Sequence, residues 1–324
     1  MDIYVKKAII HQFSPDDTDL YLADKFLNIT PKIEEYLRKK IERVYSDEAK
    51  TGIFEEDNPF LEMISDDLLE TSVAVANRWK EEFVVSENQK TNDLVFIQFS
   101  KEGVDHFAFL RIALRETLTH LGGEVDNPIK LTQNNLPGFG TGADEALVIN
   151  LQSRKYHLIE KRIKYNGTFL NYFSENLLQA QPKISPKKSI KALEKTALKI
   201  AESFNTDDFQ FQSKVKSAIF NHIEEENKLS PEKLADDLFD DNLTARLSFI
   251  DQVKEAVPEP VTFEEIDASR QLKKFENQKL SLSNGIELIV PNNVYEDAES
   301  VEFILNENGT YSILIKNIED IQSK

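Results

Sequence analysis

The chain contains no cysteine. That one absence removes disulfides, thiolate zinc sites, iron–sulfur clusters and a cysteine nucleophile together. Glycine and proline are scarce, at 10 and 11 of 324 residues, so this is neither a linker protein nor a low-complexity chain. No apolar run approaches the ~18 residues of a membrane span, and residues 1–7 lack the apolar centre of a secretory signal. A cytoplasmic protein is expected. Positive charge is also short: 39 Lys and Arg stand against 57 Asp and Glu, a net charge of −18. Diffuse DNA binding is excluded on that balance. A nucleic acid could be met only by a local patch while the remaining surface repels it.

Such a patch is present in the sequence. Residues 154–199 hold Arg154, Lys155, Lys161, Arg162, Lys164, Lys183, Lys187, Lys188, Lys191, Lys195 and Lys199. Against these eleven cations stand Glu160, Glu175 and Glu194, so the segment is +8 and the other residues together are −26. Concentrated positive charge in an acidic chain is the footprint of a surface that meets a polyanion. Its last part has a readable geometry. Ser185-Pro186 is a helix start, with Ser as N-cap and Pro in the first turn. Ile190, Leu193, Ala197, Ile200 and Phe204 then recur at steps of three and four and form one apolar stripe. At about 100° per residue, the lysines at 187, 188, 191, 195 and 199 fall within roughly a 120° arc on the opposite side. A face that serves solubility alone usually mixes signs in i,i+4 pairs; here acids are nearly absent among the lysines. A solvated helix remains the alternative to a binding face.

The element pattern predicts a mixed α+β fold. It has an N-terminal α+β domain over residues 1–180, then a helical region with a small closing β-hairpin over residues 181–324. Residues 5–13 read as a strand, with the run 20–29 placed to pair with it. Thr30-Pro31 and Asn58-Pro59 start helices, the second running to Trp79. Residues 94–99, 107–114, 146–151 and 156–163 read as strands. Hairpin-type connections make this α+β and not alternating βαβ. Residues 122–142 read as a long polar loop; Gly138, Gly140 and Gly142 have neither a dinucleotide nor a Walker spacing, so a plain mobile turn is expected. Helices are expected over 211–229, 231–240, 243–257 and 262–274, the last with Thr262 and Glu265 at capping-box spacing. The end reads as β: residues 280–290, then 301–305 and 311–315 joined by an Asn-Gly turn.

The search for reaction chemistry finds no constellation. His11, His106, His120, His157 and His222 are scattered, without a His-Glu-x-x-His zinc motif, and His11 on a strand reads as packed. There is no Gly-x-Ser-x-Gly, and Asp16, Asp17 and Asp19 lack the rest of a calcium loop. Asp236, Asp237, Asp240 and Asp241 have i,i+4 spacing, which suits a solvated acidic face better than a metal site. The expectation is a non-enzymatic protein with no cofactor and no metal.

The chain also resembles a known family along its length. The residues concerned are Ala8-Ile9-Ile10-His11-Gln12 and Val44-Tyr45-Ser46 followed by Gly52-Ile53-Phe54. Further on they are residues 146–150 leading into the basic region, Arg270-Gln271-Leu272-Lys273-Lys274-Phe275, a strand containing Gly285, and the closing hairpin with Ile313-Leu314-Ile315-Lys316. In this order and spacing they resemble the bacterial 37-kDa nucleoid-associated protein family, the NdpA/YejK-like proteins. That resemblance implies a nucleoid location and DNA binding, with no reaction and no cofactor. It supplies no residue-level binding motif, and residues 166–186 do not align with it. Charge placement therefore names the site: the eleven cations above contact phosphates of double-stranded DNA without sequence readout, with Arg270, Lys273 and Lys274 as a secondary set. The alternative is an interaction module whose acidic surfaces bind DNA-processing proteins without strong direct DNA contact. A homodimer would double the basic patch.

Overall fold

Residues 94–99 and 107–112 carry apolar side chains at both odd and even positions. A sheet made from such strands must be covered on both faces, because successive side chains point to opposite sides. The computed structural model of the protein shows this arrangement. It describes every residue except 1, 17, 84–89, 121–128, 166, 206–208, 264, 321, 323 and 324. The fold is mixed α+β, and the chain divides into two compact units, Met1–Ser185 and Pro186–Lys324.

In the first unit the elements run β1 (Ile3–Ser14), β2 (Asp19–Tyr21), α1 (Pro31–Glu42), β3 (Lys50–Ile53), α2 (Pro59–Glu62), α3 (Leu68–Phe83), β4 (Asn92–Lys101) and β5 (Val104–Ala113). They continue with β6 (Arg115–His120), β7 (Ile129–Asn135), β8 (Glu145–Asn150), β9 (Lys155–Ile159), β10 (Ile163–Tyr165), β11 (Thr168–Leu170) and a π-helical turn, Phe173–Leu177. Seven strands form an antiparallel sheet in the order β2-β1-β4-β5-β8-β9-β3. One face carries Leu94, Phe96, Phe107, Phe109 and Leu147, which pack with Trp79 and Phe83 of α3. The other carries Val95, Ile97, Phe99, Ala108 and Leu110, which pack with Leu37 and Ile41 of α1. Each such side chain contributes roughly 1.5–3 kcal/mol on burial. Gly52 on β3 has a steric reason: a Cβ there would sit 2.3 Å from the Tyr156 hydroxyl.

Several expectations need correction. The helix starting at Asn58-Pro59 does not run to Trp79. Asn58 caps α2, but a second start follows, where Asp67 Oδ1 accepts from the Leu69 N–H at 2.8 Å. Local side-chain capping therefore divides the segment into α2 and α3. The run 20–29 supplies only the short β2 for pairing with β1. Residues 122–142 are not one loop, since β7 pairs with β6 in a separate two-stranded ribbon; residues 121–128 lie outside the described part.

Gly138, Gly140 and Gly142 do lie in and beside a turn, in which the Thr141 N–H donates to the Gly138 carbonyl at 3.1 Å. That segment wraps the ammonium of Lys40, which is fully buried. Lys40 Nζ donates to the carbonyls of Pro137, Gly138 and Thr141 at 3.3, 2.9 and 2.5 Å. It also lies 4.4 Å from the centre of the Tyr36 ring. Burial, helped by Arg43 and Arg115, lowers its pKa to about 8. Two further buried polar groups of the unit, Arg111 and Tyr172, are also partnered. Arg111 Nε donates to Glu145 Oε2 at 2.6 Å and Arg111 Nη1 to Asn92 at 2.8 Å. Tyr172 donates to the same Glu145 oxygen and accepts from Trp79 at 3.1 Å.

His11 is packed, as its place on a strand suggests. Its Nδ1 accepts from the Ala23 N–H at 3.0 Å, which leaves Nε2 to donate to Ser72 Oγ at 3.0 Å. The first contact requires the neutral ring, since a protonated Nδ1 cannot accept.

The second unit contains α4 (Pro186–Ser203), α5 (Phe209–Glu226), β12 (Lys228–Leu229), α6 (Pro231–Leu238), α7 (Leu243–Lys254), β13 (Val261–Thr262) and α8 (Glu265–Phe275). It closes with β14 (Asn277–Ser281), β15 (Glu287–Pro291), α9 (Asn292–Tyr295), β16 (Val301–Leu305) and β17 (Tyr311–Ile315). Its core joins Leu193, Ala197 and Ile200 to Val215, Ile219, Leu234, Phe249 and Val253. Thr262 lies in β13, paired with Lys228, and so does not cap α8. Residues 280–290 form most of a hairpin, turning at Gly285 with φ +87°, and not one strand. The final Asn-Gly hairpin is present as expected.

Two predictions follow from the first unit. Burial lowers the His11 pKa from 6.5 to about 4, so its stabilising effect is complete above pH 6.5 and is lost as pH falls toward 4. Between pH 7.5 and pH 5 the parent should lose about 2 kcal/mol that a His11→Gln variant does not lose, read from urea midpoints. The Lys40→Met variant should lose roughly 2 kcal/mol and expose residues 136–142 to protease first, because three carbonyls lose a charged donor.

Candidate nucleic-acid interface

The helix α4 begins at Pro186, where Ser185-Pro186 places it, and its apolar stripe is the buried side. Ile190, Leu193, Ala197 and Ile200 are at most 3 % exposed, and Phe204 packs at the margin. This stripe seats α4 against α5 and α7, so rotation about the helix axis is fixed by burial. The opposite side is consequently held out to solvent. Lys188, Lys191, Lys195 and Lys199 are exposed there, and Lys187 is half-buried. From Lys188 to Lys199 the helix rises ~16 Å.

The electrostatics of this face are one-sided. Lys188 and Lys195 have no carboxylate partner among the described residues. Lys199 Nζ donates to the neutral Gln252 of α7 at 3.3 Å. Glu194 is the one acid within residues 186–199; burial raises its carboxyl pKa, while Lys216 and Lys191 act to lower it. Glu202, exposed near the end of α4, bounds the face. Lys216 on α5 and Gln252 on α7 border the surface, and sequence reasoning missed both. Helical spacing within α4 cannot show which side chains its neighbours bring alongside.

The other cations of the basic segment belong to the first unit, since the unit boundary falls between Ser185 and Pro186. Arg154 adopts a left-handed backbone, φ +60°, and pairs with Glu56 at 3.0 Å. Lys161 pairs with Asp144 at 2.7 Å. Lys155 starts β9, Arg162 lies between β9 and β10, and Lys164 is on β10; all three are exposed. Lys183 is exposed, and its backbone N–H donates to the Thr51 carbonyl at 2.8 Å. The secondary set, Arg270, Lys273 and Lys274, is exposed on α8, where Lys274 Nζ donates to Gln271 at 3.2 Å. Lysines in a last helical turn also complement the helix dipole.

The four aspartates at 236, 237, 240 and 241 do not form a free acidic row. Asp236 pairs with Arg246 at 2.9 Å, Asp237 with His222 at 2.6 Å, and Asp240 with Lys214 at 3.2 Å. The Asp240 carboxyl is held below its ordinary pKa by the Lys214 hydrogen bond and charge. Among the described residues, no group of three or more His, Asp and Glu side chains is placed to hold a metal ion. Among them, too, no helix is long and apolar enough to cross a membrane.

Comparison with curated proteins returns no match to this chain. Comparison with family models does: the model of nucleoid-associated protein YejK matches residues 9–321. That span runs from β1, with its packed His11, through α4 and beyond the closing hairpin. The chain is a member of the nucleoid-associated protein YejK family.

Proposed function

We propose that this protein is a non-enzymatic DNA-binding component of the bacterial nucleoid, working in the cytoplasm and contacting duplex phosphates without reading sequence. The observation that carries the reading is the exposed lysine row on α4, Lys188, Lys191, Lys195 and Lys199, opposite the face that anchors the helix. Lysine is a mobile point charge suited to phosphate oxygens. Base-edge readout calls on Arg, Asn and Gln in bidentate geometry; α4 contains none of these. Single-strand binding calls on aromatic platforms, and α4 has no aromatic residue either.

Lys187 at the start of the helix completes the core of the surface. Arg154, Lys155, Lys161, Arg162, Lys164 and Lys183 form an outlying set on the first unit, and Arg270, Lys273 and Lys274 a secondary one on the second. Within the outlying set, Arg154 and Lys161 already hold carboxylate partners, so their gain from a phosphate is reduced by the bond they give up. The acidic remainder of the chain limits the contact footprint. Binding is therefore local and strongly screened by salt.

Four phosphate contacts give a slope of log affinity against log salt of about −3.6, or roughly a hundredfold loss between 50 and 200 mM. Fluorescence anisotropy on two duplexes of unrelated sequence should return this slope for both. Changing Lys188, Lys191 and Lys195 to Gln should weaken binding on both duplexes and bring the slope to about −0.9. A parent chain that binds neither duplex at 50 mM salt would overturn the direct-contact reading. Association with the nucleoid would then run through a protein partner meeting the acidic surface.

A further inference from the structure

The lysine face of α4 lacks an aromatic residue, but a cationic element of the first unit has one. β10 and β11 form a two-stranded hairpin apart from the central sheet. Residues 161–174, which contain it, hold Lys161, Arg162 and Lys164 and neither Asp nor Glu. The acids around this segment are engaged. Glu160 pairs with Lys50 at 2.5 Å, Asp144 with Lys161 at 2.7 Å, and Glu175 accepts from Asn171 Nδ2 at 3.1 Å.

The two faces of the hairpin differ. Ile163 is 5 % exposed and belongs to the core that holds Tyr172 and Phe173. Side chains alternate along a strand, so anchoring Ile163 turns Arg162 and Lys164 to the other side. Both are exposed there. Lys164 pairs with Phe169 across the hairpin, which sets the two side chains on that same outer face with Cβ atoms ~5 Å apart. Phe169 is 60 % exposed, more than any other phenylalanine among the described residues. A lone exposed ring is ordinary. A ring beside two cations on an acid-free face is the combination that binds unstacked bases.

We propose that Arg162, Lys164 and Phe169 form a binding site for single-stranded DNA, with the Phe169 ring stacked on one unpaired base and the two cations on neighbouring phosphates. Arg162 and Lys164 are two residues apart, ~7 Å along the strand direction, so a nucleic-acid strand running along the hairpin meets both. Stacking on one ring changes affinity by roughly 5- to 150-fold. Driving the same ring into a duplex must first unstack a base step, which cancels a gain of that size. A strand whose bases are already unpaired does not bear that cost. Charge favours it too. A single strand carries half the phosphates of a duplex of equal length, so a chain of net charge −18 repels it less. The site belongs to a different unit from α4, and it rests on the reading above only for the strand being DNA and not RNA.

Oligo-dT of ~10 nucleotides tests it on the full chain, because thymine runs do not pair with themselves and this length suits one single-strand site. The chain has one tryptophan, Trp79, which is fully buried. A Phe169→Trp variant therefore reports on position 169 against a constant background. Its emission should be quenched by oligo-dT at low salt and left unchanged by a blunt duplex. In anisotropy on labelled oligo-dT, Phe169→Leu should weaken binding at least about 5-fold, while Phe169→Tyr stays within about twofold of the parent, since leucine keeps the apolar bulk without the π-face. Both should bind duplex as the parent does. Changing Arg162 and Lys164 to Gln should make the slope of log affinity against log salt shallower by about 1.4, for two single-strand contacts. Loss of duplex binding with the quench intact would sink the α4 reading and leave this one standing. An absent quench, or a Phe169→Leu variant that holds oligo-dT as the parent does, overturns the proposal. Oligo-rU bound more tightly than oligo-dT overturns the assignment to DNA.

Discussion

Coverage of the central sheet on both faces is the constraint on which the first unit depends. With Phe96 and Phe109 stacked under α3 and Val95 and Leu110 under α1, no polar group in these layers can rely on water. Each must find a partner in the protein or destabilise it. The His11 ring between Ala23 and Ser72, the Lys40 ammonium in its ring of carbonyls, and Glu145 shared by Arg111 and Tyr172 are answers to that requirement. They also link elements distant in sequence, since each joins a strand or helix to a segment that packing alone would hold loosely.

The second unit is organised by a different constraint, the separation of apolar and cationic residues on one helix. Burying Ile190, Leu193, Ala197 and Ile200 costs the chain little, because the lysines between them point away from the core. Among the described residues, the same seating leaves Lys188 and Lys195 without carboxylate partners in a chain where acids outnumber bases. Elsewhere the acids take up cations: Glu56 holds Arg154, Asp144 holds Lys161, and Asp236 and Asp240 hold Arg246 and Lys214. Local excess of positive charge therefore survives on α4 by geometry, and the proposed phosphate contacts rest on it.

Much of this was legible before any coordinates. The 3.6-residue period of α4, its start at Ser185-Pro186, the strands of the central sheet and the Asn-Gly hairpin are local signals, and local chemistry decided them. The misreadings have a common cause. Residues 59–79 have one helical period, yet Asp67 and Ser65 interrupt it by capping backbone groups within a few positions. Residues 129–135 look polar and loop-like because neither face of β7 is buried, so the usual period-two signal is weak. Lys40 follows Arg38 and Lys39 in a charged run that reads as solvated, but its ammonium is held by the Thr141 carbonyl, 101 positions away.

The sequence by itself determined the charge imbalance, the concentration of cations between Arg154 and Lys199, the amphipathic helix that carries five of them, and the Asn-Gly hairpin. These properties depend on residue type and spacing, which the chain holds in any conformation. The tertiary structure decided which cations are already neutralised and which lysine is interior. Those outcomes depend on distances between segments far apart in the chain, and Coulomb attraction and hydrogen bonding act on distance, not on order.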